Sequence, residues 1–151
     1  MLTIIYILLG TILTDSTPSY EQLTVDYFFK TIWKQKYAGF KSIEFENQTD
    51  SKMYVGHIYG CREWDEMDKK EIENGKTNEI IELTSKHPDI SIKKKSNSKR
   101  LKLTIGTKIQ FGDTYVVQMT VYKPLEFVDH YFIKFDKDGK IIDQCEFNEI
   151  I

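Results

Sequence analysis

At 151 residues, with 40% hydrophobic and 29% charged side chains, the chain has room for one domain and enough apolar mass to bury a core, which excludes a disordered polypeptide. A net charge of −2 and a pI near 5.9 leave no overall field that would gather nucleic acid or an anionic membrane.

Residues 2–13 carry no charge and are mostly Leu, Ile and Tyr; the first charged side chain is Asp15. Such a run is too short for the roughly 20 residues that span a bilayer but matches the apolar region of a signal peptide, about 7–15 residues. Residues 1–18 therefore read as a signal peptide or apolar N-terminal segment with its linker, and residues 19–151 as a single α+β domain. The expected location is periplasmic or secreted, with no stable transmembrane span. Two features support the cytoplasmic alternative, in which the run is a buried first strand or helix. No Lys or Arg precedes it, and the exit Leu13-Thr14-Asp15-Ser16-Thr17-Pro18 lacks a small-residue cleavage pattern.

Ser19 is a good N-cap, and residues 20–38 follow a helical period. Leu23, Tyr27, Thr31 and Lys34 lie on one line with Phe28, Ile32 and Tyr37 beside it, while Glu21, Lys30 and Lys36 are expected to face water; Gly39 supplies the stop. Residues 41–46 alternate through Ile43 and Phe45, residues 47–51 are turn-forming, and residues 52–59 read as a second strand, so a hairpin is expected. The acidic stretch from Glu63 to Glu73 suggests a short exposed helix or a long loop, and residues 78–86 a further helix ended by His87-Pro88.

The C-terminal third is more strongly patterned. Leu101, Leu103, Ile105, Ile109 and Phe111 alternate with polar residues as one half-buried strand. Gly112-Asp113 turns the chain into a strand at 115–122, Lys123-Pro124 into one at 127–135, and Asp138-Gly139 into a last one at 141–147. Hairpin-linked strands pair antiparallel, so a four-stranded meander follows. The expected architecture is an N-terminal amphipathic helix packed on a curved antiparallel sheet made of the first hairpin and this meander. In order of elements it resembles the cystatin-like and NTF2-like superfolds in outline, a likeness that transfers no site.

Motifs for chemistry are sparse. Asp136-Lys137-Asp138-Gly139 opens like a calcium loop, but Phe147 stands where the twelfth-position Glu is needed, so it reads as a turn. The histidines His57, His87 and His130 have no metal-ligand spacing, and no metal or cofactor is expected. If the strands carrying them line one concave face with Asp129, Tyr131 and Tyr59, then His57, Asp129 and His130 are the candidates for a general-base site. Cys61 and Cys145 can pair in an oxidising compartment; their spacing excludes a CxxC motif. The cationic run Lys93, Lys94, Lys95, Lys99 and Arg100 holds no aromatic residue, which argues against single-stranded nucleic acid and leaves a solvated loop or a docking patch for an acidic protein.

The leading functional expectation is a non-enzymatic binding protein of the cell envelope or exterior, in the manner of an inhibitor or immunity-type protein that captures another protein. Two alternatives stand beside it. One is a small-ligand-binding or enzymatic domain with a pocket between helix and sheet; the other is a structural domain tethered by an uncleaved N-terminal segment.

Overall fold

A computed structural model describes residues 19–75, 79–85, 87, 91–93 and 100–151. The apolar run at 2–13 and Lys94, Lys95 and Lys99 lie outside the described residues. Ser19 accepts the Gln22 N–H at 3.1 Å and so caps helix α1 (Tyr20–Tyr27). The helical backbone continues through a π-helical turn (Phe28–Ile32) into α2 (Trp33–Lys36). That wider turn accommodates one extra residue. It helps bring Val25, Phe28, Phe29, Ile32 and Trp33 onto one buried face, each no more than 6% exposed. The face is rotated from the line expected along Leu23, Tyr27, Thr31 and Lys34, of which Lys34 is exposed and the others lie at the margin. Glu21, expected in water, is fully buried. Its Oε1 accepts the Lys108 backbone N–H at 2.8 Å, which gives part of that carboxylate a partner and ties the helix to the sheet.

Among the described residues the sheet has seven strands: β1 (Ser42–Phe45), β2 (Ser91–Lys93), β3 (Leu101–Ile105), β4 (Ile109–Phe111), β5 (Thr114–Lys123), β6 (Phe127–Phe135) and β7 (Ile141–Ile150). Its order is β2-β1-β3-β5-β6-β7, with β4 beside β5. The C-terminal part is the expected antiparallel meander. The sheet as a whole is mixed, because β1 pairs parallel with both β2 and β3.

Three expectations give way here. The early hairpin does not form, because residues 52–59 do not make a second strand: Val55–Gly60 is a 3-10 turn. Val55, Ile58 and Cys61 are buried at intervals of three, the period of that helix. The helix expected at 78–86 is extended over its described part. Thr49 N–H reaches Ile81 O at 3.0 Å and Leu83 N–H reaches Asn47 O at 2.8 Å, bridging Glu82 to Gln48. Finally, the single strand expected at 101–111 is broken at 106–108. There Gly106 N–H bonds Gln118 O at 2.8 Å while Asp50 N–H bonds Ile105 O at 2.8 Å, so a passing segment docks at the break. A Cβ on Gly106 would stand 3.2 Å from Met53 Sδ and 3.4 Å from Gln118 O, so the glycine lets the passing segment approach closely.

Both faces of the sheet are used. Odd-numbered residues of β5 and β6 (Val117, Met119, Val121, Tyr131, Ile133, Phe135) pack with the N-terminal helix, Ile43, Phe45 and the β3 leucines in the larger core. Even-numbered Val116 and Phe132 face the other way and meet Val55, Ile58, Cys61 and Ile72 from the 3-10 turn and helix α3 (Glu66–Asn74). Cys61 and Cys145 form a disulfide across 84 residues of sequence, fixing the end of the 3-10 turn to β7. Closing a loop of that size removes freedom from the unfolded chain, an effect of roughly 4–5 kcal/mol in the chain-entropy model.

Reduction of Cys61–Cys145 is expected to lower unfolding free energy by about 2–4 kcal/mol, read from urea midpoints with and without reductant. A change below about 0.5 kcal/mol would mean that Val55, Ile58 and Ile72 hold this layer unaided.

Candidate functional site

The second face of the sheet is only partly covered. At one end it lies under the 3-10 turn and α3; at the other a groove of about 290 Å³ stays open. Its floor is made by Thr104, Gln118, Thr120, Tyr122, Val128 and His130 from the sheet, and its walls by Asp50, Met53, Tyr54 and His57 from the preceding segment and Glu149 from β7. Glu149 belongs to this face because of a β-bulge where β6 meets β7 between Lys134 and Phe135. The extra residue changes the parity of the pairing, so odd-numbered Cys145, Phe147 and Glu149 lie opposite even-numbered Phe132, His130 and Val128.

Four rings form a column along one side of this groove. His57 stacks on His130 at 4.2 Å between centroids, and His130 stacks on Phe147 at 4.8 Å. Tyr54 meets His57 edge-on at 5.3 Å. Gly60 gives the Phe147 ring its place, since a Cβ there would come within 2.5 Å of it. Glu149 sits beside both imidazoles, 3.7 Å from His57 Nδ1 and 3.5 Å from His130 Nε2. His130 is 3% exposed and neither ring nitrogen makes a hydrogen bond among the described residues. Burial lowers its pKa, and neighbouring His57 lowers it further, against a smaller opposing pull from Glu149.

Gln118 is the second unusual group. It is 1% exposed on the groove floor, and neither its amide nitrogen nor its amide oxygen is hydrogen-bonded among the described residues. A buried amide left this way costs about 1–3 kcal/mol.

Of the three residues expected as a general-base site, the structure brings His57 and His130 together and places Asp129 on the opposite face. His57 is not on a strand as expected but in the 3-10 turn, which crosses over β6. Asp129 points toward the helix, where it accepts from the Tyr37 hydroxyl and from Asn148 Nδ2 at 2.6 Å. Tyr131, also expected at the site, shares that side and bonds Tyr37 at 2.8 Å between hydroxyls. Tyr59 is exposed and donates to Glu73 at 3.0 Å, a bond that raises its pKa. Of the cationic run, Lys93 ends β2 opposite Glu44 and Arg100 is half-buried. Asp136 Oδ1 accepts Asp138 and Lys140 N–H at 2.9 Å each, as a turn requires.

Gln118 and Glu149 escaped the sequence reading. Gln118 had a signal, as a polar residue inside Val116-Val117-Gln118-Met119. Glu149 had none, because its face depends on the bulge. A larger recess of about 430 Å³ lies beside the disulfide, lined by Arg62, Trp64 and Glu146 among others. It contains none of the unpartnered buried polar atoms that mark the groove. Compared with protein-family models, curated proteins and solved structures, the chain matches none.

The Tyr37–Tyr131–Asp129 cluster yields a pH test. Burial and then the bond to Asp129 raise Tyr37 well above the ordinary value of 10, and burial pushes Tyr131 up to about 12. Lys36 lies over the Tyr131 ring at 5.5 Å and Asn148 shares Asp129, so the remaining polar neighbours are also fixed. Both hydroxyls keep their protons when folded at a pH where the unfolded chain has lost them. Stability is therefore full below pH 10 and declines as pH rises through and beyond it. Tyrosinate absorbance should show these two ionising only with unfolding, and Tyr37→Phe should cost about 1–2 kcal/mol. Ionisation of every tyrosine near pH 10 in the folded chain would contradict this packing.

Proposed function

We propose that the protein is a non-enzymatic binding domain of the cell envelope or exterior, which captures another protein by admitting one of its polar side chains or loops to the groove on the second face. The observation that carries this reading is Gln118. Its buried amide offers one donor side and one acceptor side with no partner among the described residues, at the floor of an open groove. A carboxamide, peptide group or hydroxyl of a partner would satisfy it once the side chains covering the amide move aside, and so recover the cost of leaving it bare.

Size favours a protein segment over a free small molecule. A volume of about 290 Å³ falls just below the range of about 300–1,000 Å³ usual for small-molecule sites. The interface between helix and sheet is filled by Phe28, Ile43, Leu103, Met119 and Tyr131. The Asp129 carboxylate, expected beside the histidines, is engaged across the sheet by Tyr37 and Asn148. A disulfide between Cys61 and Cys145 supports an oxidising compartment, and the uncharged run at 2–13 supports export. No described helix is long and apolar enough to cross a membrane.

Gln118→Leu separates function from stability. It replaces an unpartnered amide by an apolar group of similar size, so it should leave stability unchanged or raise it by about 1 kcal/mol. It should also abolish crosslinking of a partner from a photoreactive residue placed at Tyr122, on the groove floor, while a photoreactive residue at Lys30 on the exposed helix surface crosslinks nothing. A loss of more than about 2 kcal/mol in Gln118→Leu would show that the amide is satisfied within the fold. Equal crosslinking from both positions would remove the groove from the interface.

Export has its own test. The intact mass of the mature protein should lack about the first 14–18 residues and show both thiols blocked before reduction. A full-length species with two free thiols would place the protein in a reducing compartment.

A further inference from the structure

His57, His130 and Glu149 come from three separate elements, the 3-10 turn, β6 and β7, yet their ligand atoms all lie within 4.8 Å of one another. The buried member, His130, has neither nitrogen hydrogen-bonded among the described residues, while the side chains of His57 and Glu149 at the rim are 34% and 50% exposed. Two imidazoles and a carboxylate gathered in this way form a donor set. A purely structural reading pairs His130 Nε2 with the Glu149 carboxylate at 3.5 Å and leaves Nδ1 with no hydrogen bond among the described residues.

We propose that His57, His130 and Glu149 bind a divalent transition-metal ion of the zinc class at the rim of the groove. Zinc bonds of about 2.0–2.2 Å at tetrahedral angles hold neighbouring ligand atoms roughly 3.4 Å apart. The two histidine-to-glutamate separations, 3.7 and 3.5 Å, are already close to that spacing. The two imidazoles are stacked rather than convergent, so closing the set requires the rim imidazole of His57 to turn about its own side-chain torsions. That movement involves a partly exposed ring and leaves buried His130 clamped against Phe147. Imidazole nitrogen with one carboxylate suits zinc, cobalt or nickel, whereas calcium and magnesium prefer oxygen alone. Cys61 and Cys145 are bonded to each other, so no thiolate competes. Three protein ligands leave a coordination position open toward the groove. This assignment rests on ligand geometry and stands or falls independently of protein capture.

The test uses the tag-free chain with its disulfide intact. Co²⁺ is titrated while visible absorption is followed, and Zn²⁺ is titrated calorimetrically. The expected result is one equivalent of Co²⁺ giving visible bands that Zn²⁺ abolishes. His57→Ala and Glu149→Gln, both changes at the partly exposed rim, should each weaken Zn²⁺ binding by about tenfold or more, and His87→Ala should leave it unchanged. Native circular dichroism of the variants excludes misfolding as the cause. No Co²⁺ band together with no Zn²⁺ heat would overturn the assignment. Equal affinity in wild type, His57→Ala and Glu149→Gln would overturn it as well, as would an equal loss in His87→Ala.

Discussion

The arrangement of the second face depends on one local irregularity, the bulge where β6 meets β7. In a regular antiparallel ladder the side-chain period of two would carry the alternation of β6 unchanged across to β7. One extra residue reverses it, and Cys145, Phe147 and Glu149 turn toward the 3-10 turn while Gln144, Glu146 and Asn148 turn toward the N-terminal helix. The disulfide, the ring stacked on His130 and the carboxylate beside the two histidines all follow from that single shift. The helix-side contacts follow too, since Tyr27 donates to Gln144 at 2.8 Å and Lys36 pairs with Glu146.

The two faces then divide the work of the fold. The helix side carries the larger apolar cluster, where aromatic rings of the helix meet alternate residues of four strands. The second side is smaller and relies on a covalent link to keep the 3-10 turn in place. Its open end holds Gln118 and His130, two buried side chains whose polar atoms make no hydrogen bond among the described residues. Each lowers the stability of the chain, and the core on the opposite face is large enough to offset them. A protein stabilised on one side of a sheet can keep an unsatisfied surface on the other, which is the usual relation between a scaffold and a binding site.

How far the sequence revealed this varies with the range of the interactions involved. The meander was legible because alternation in Phe127–Phe135 and the Asp138-Gly139 turn are local signals, and local signals fixed those strands and their pairing. The N-terminal helix was legible in extent but not in orientation. Its π-helical turn shifts the period, and burial of Glu21 depends on a backbone N–H 87 residues away. Val55–Gly60 differs from the expected strand because alternation and a period of three cannot be distinguished over so few residues, and its glycines at 56 and 60 weaken a strand. Residues 79–85 form an extended bridge to Gln48, a long-range pairing that outweighs a weak helical pattern in Ile80, Ile81 and Leu83.

The histidines show the same limit more sharply. Sequence spacing between His57 and His130 carries no motif, and Asp129, the neighbour in sequence, is the residue that alternation sends to the other face. The carboxylate that does reach them is Glu149, near the end of the next strand and on the correct side only because of the bulge. A site assembled from a 3-10 turn and two strands in this way leaves no linear signature. What the chain does record is the exception to its own pattern. Gln118 stands where an apolar side chain would have closed the face, and neither atom of its buried amide is hydrogen-bonded among the described residues, which is the observation on which the proposed capture of a partner rests.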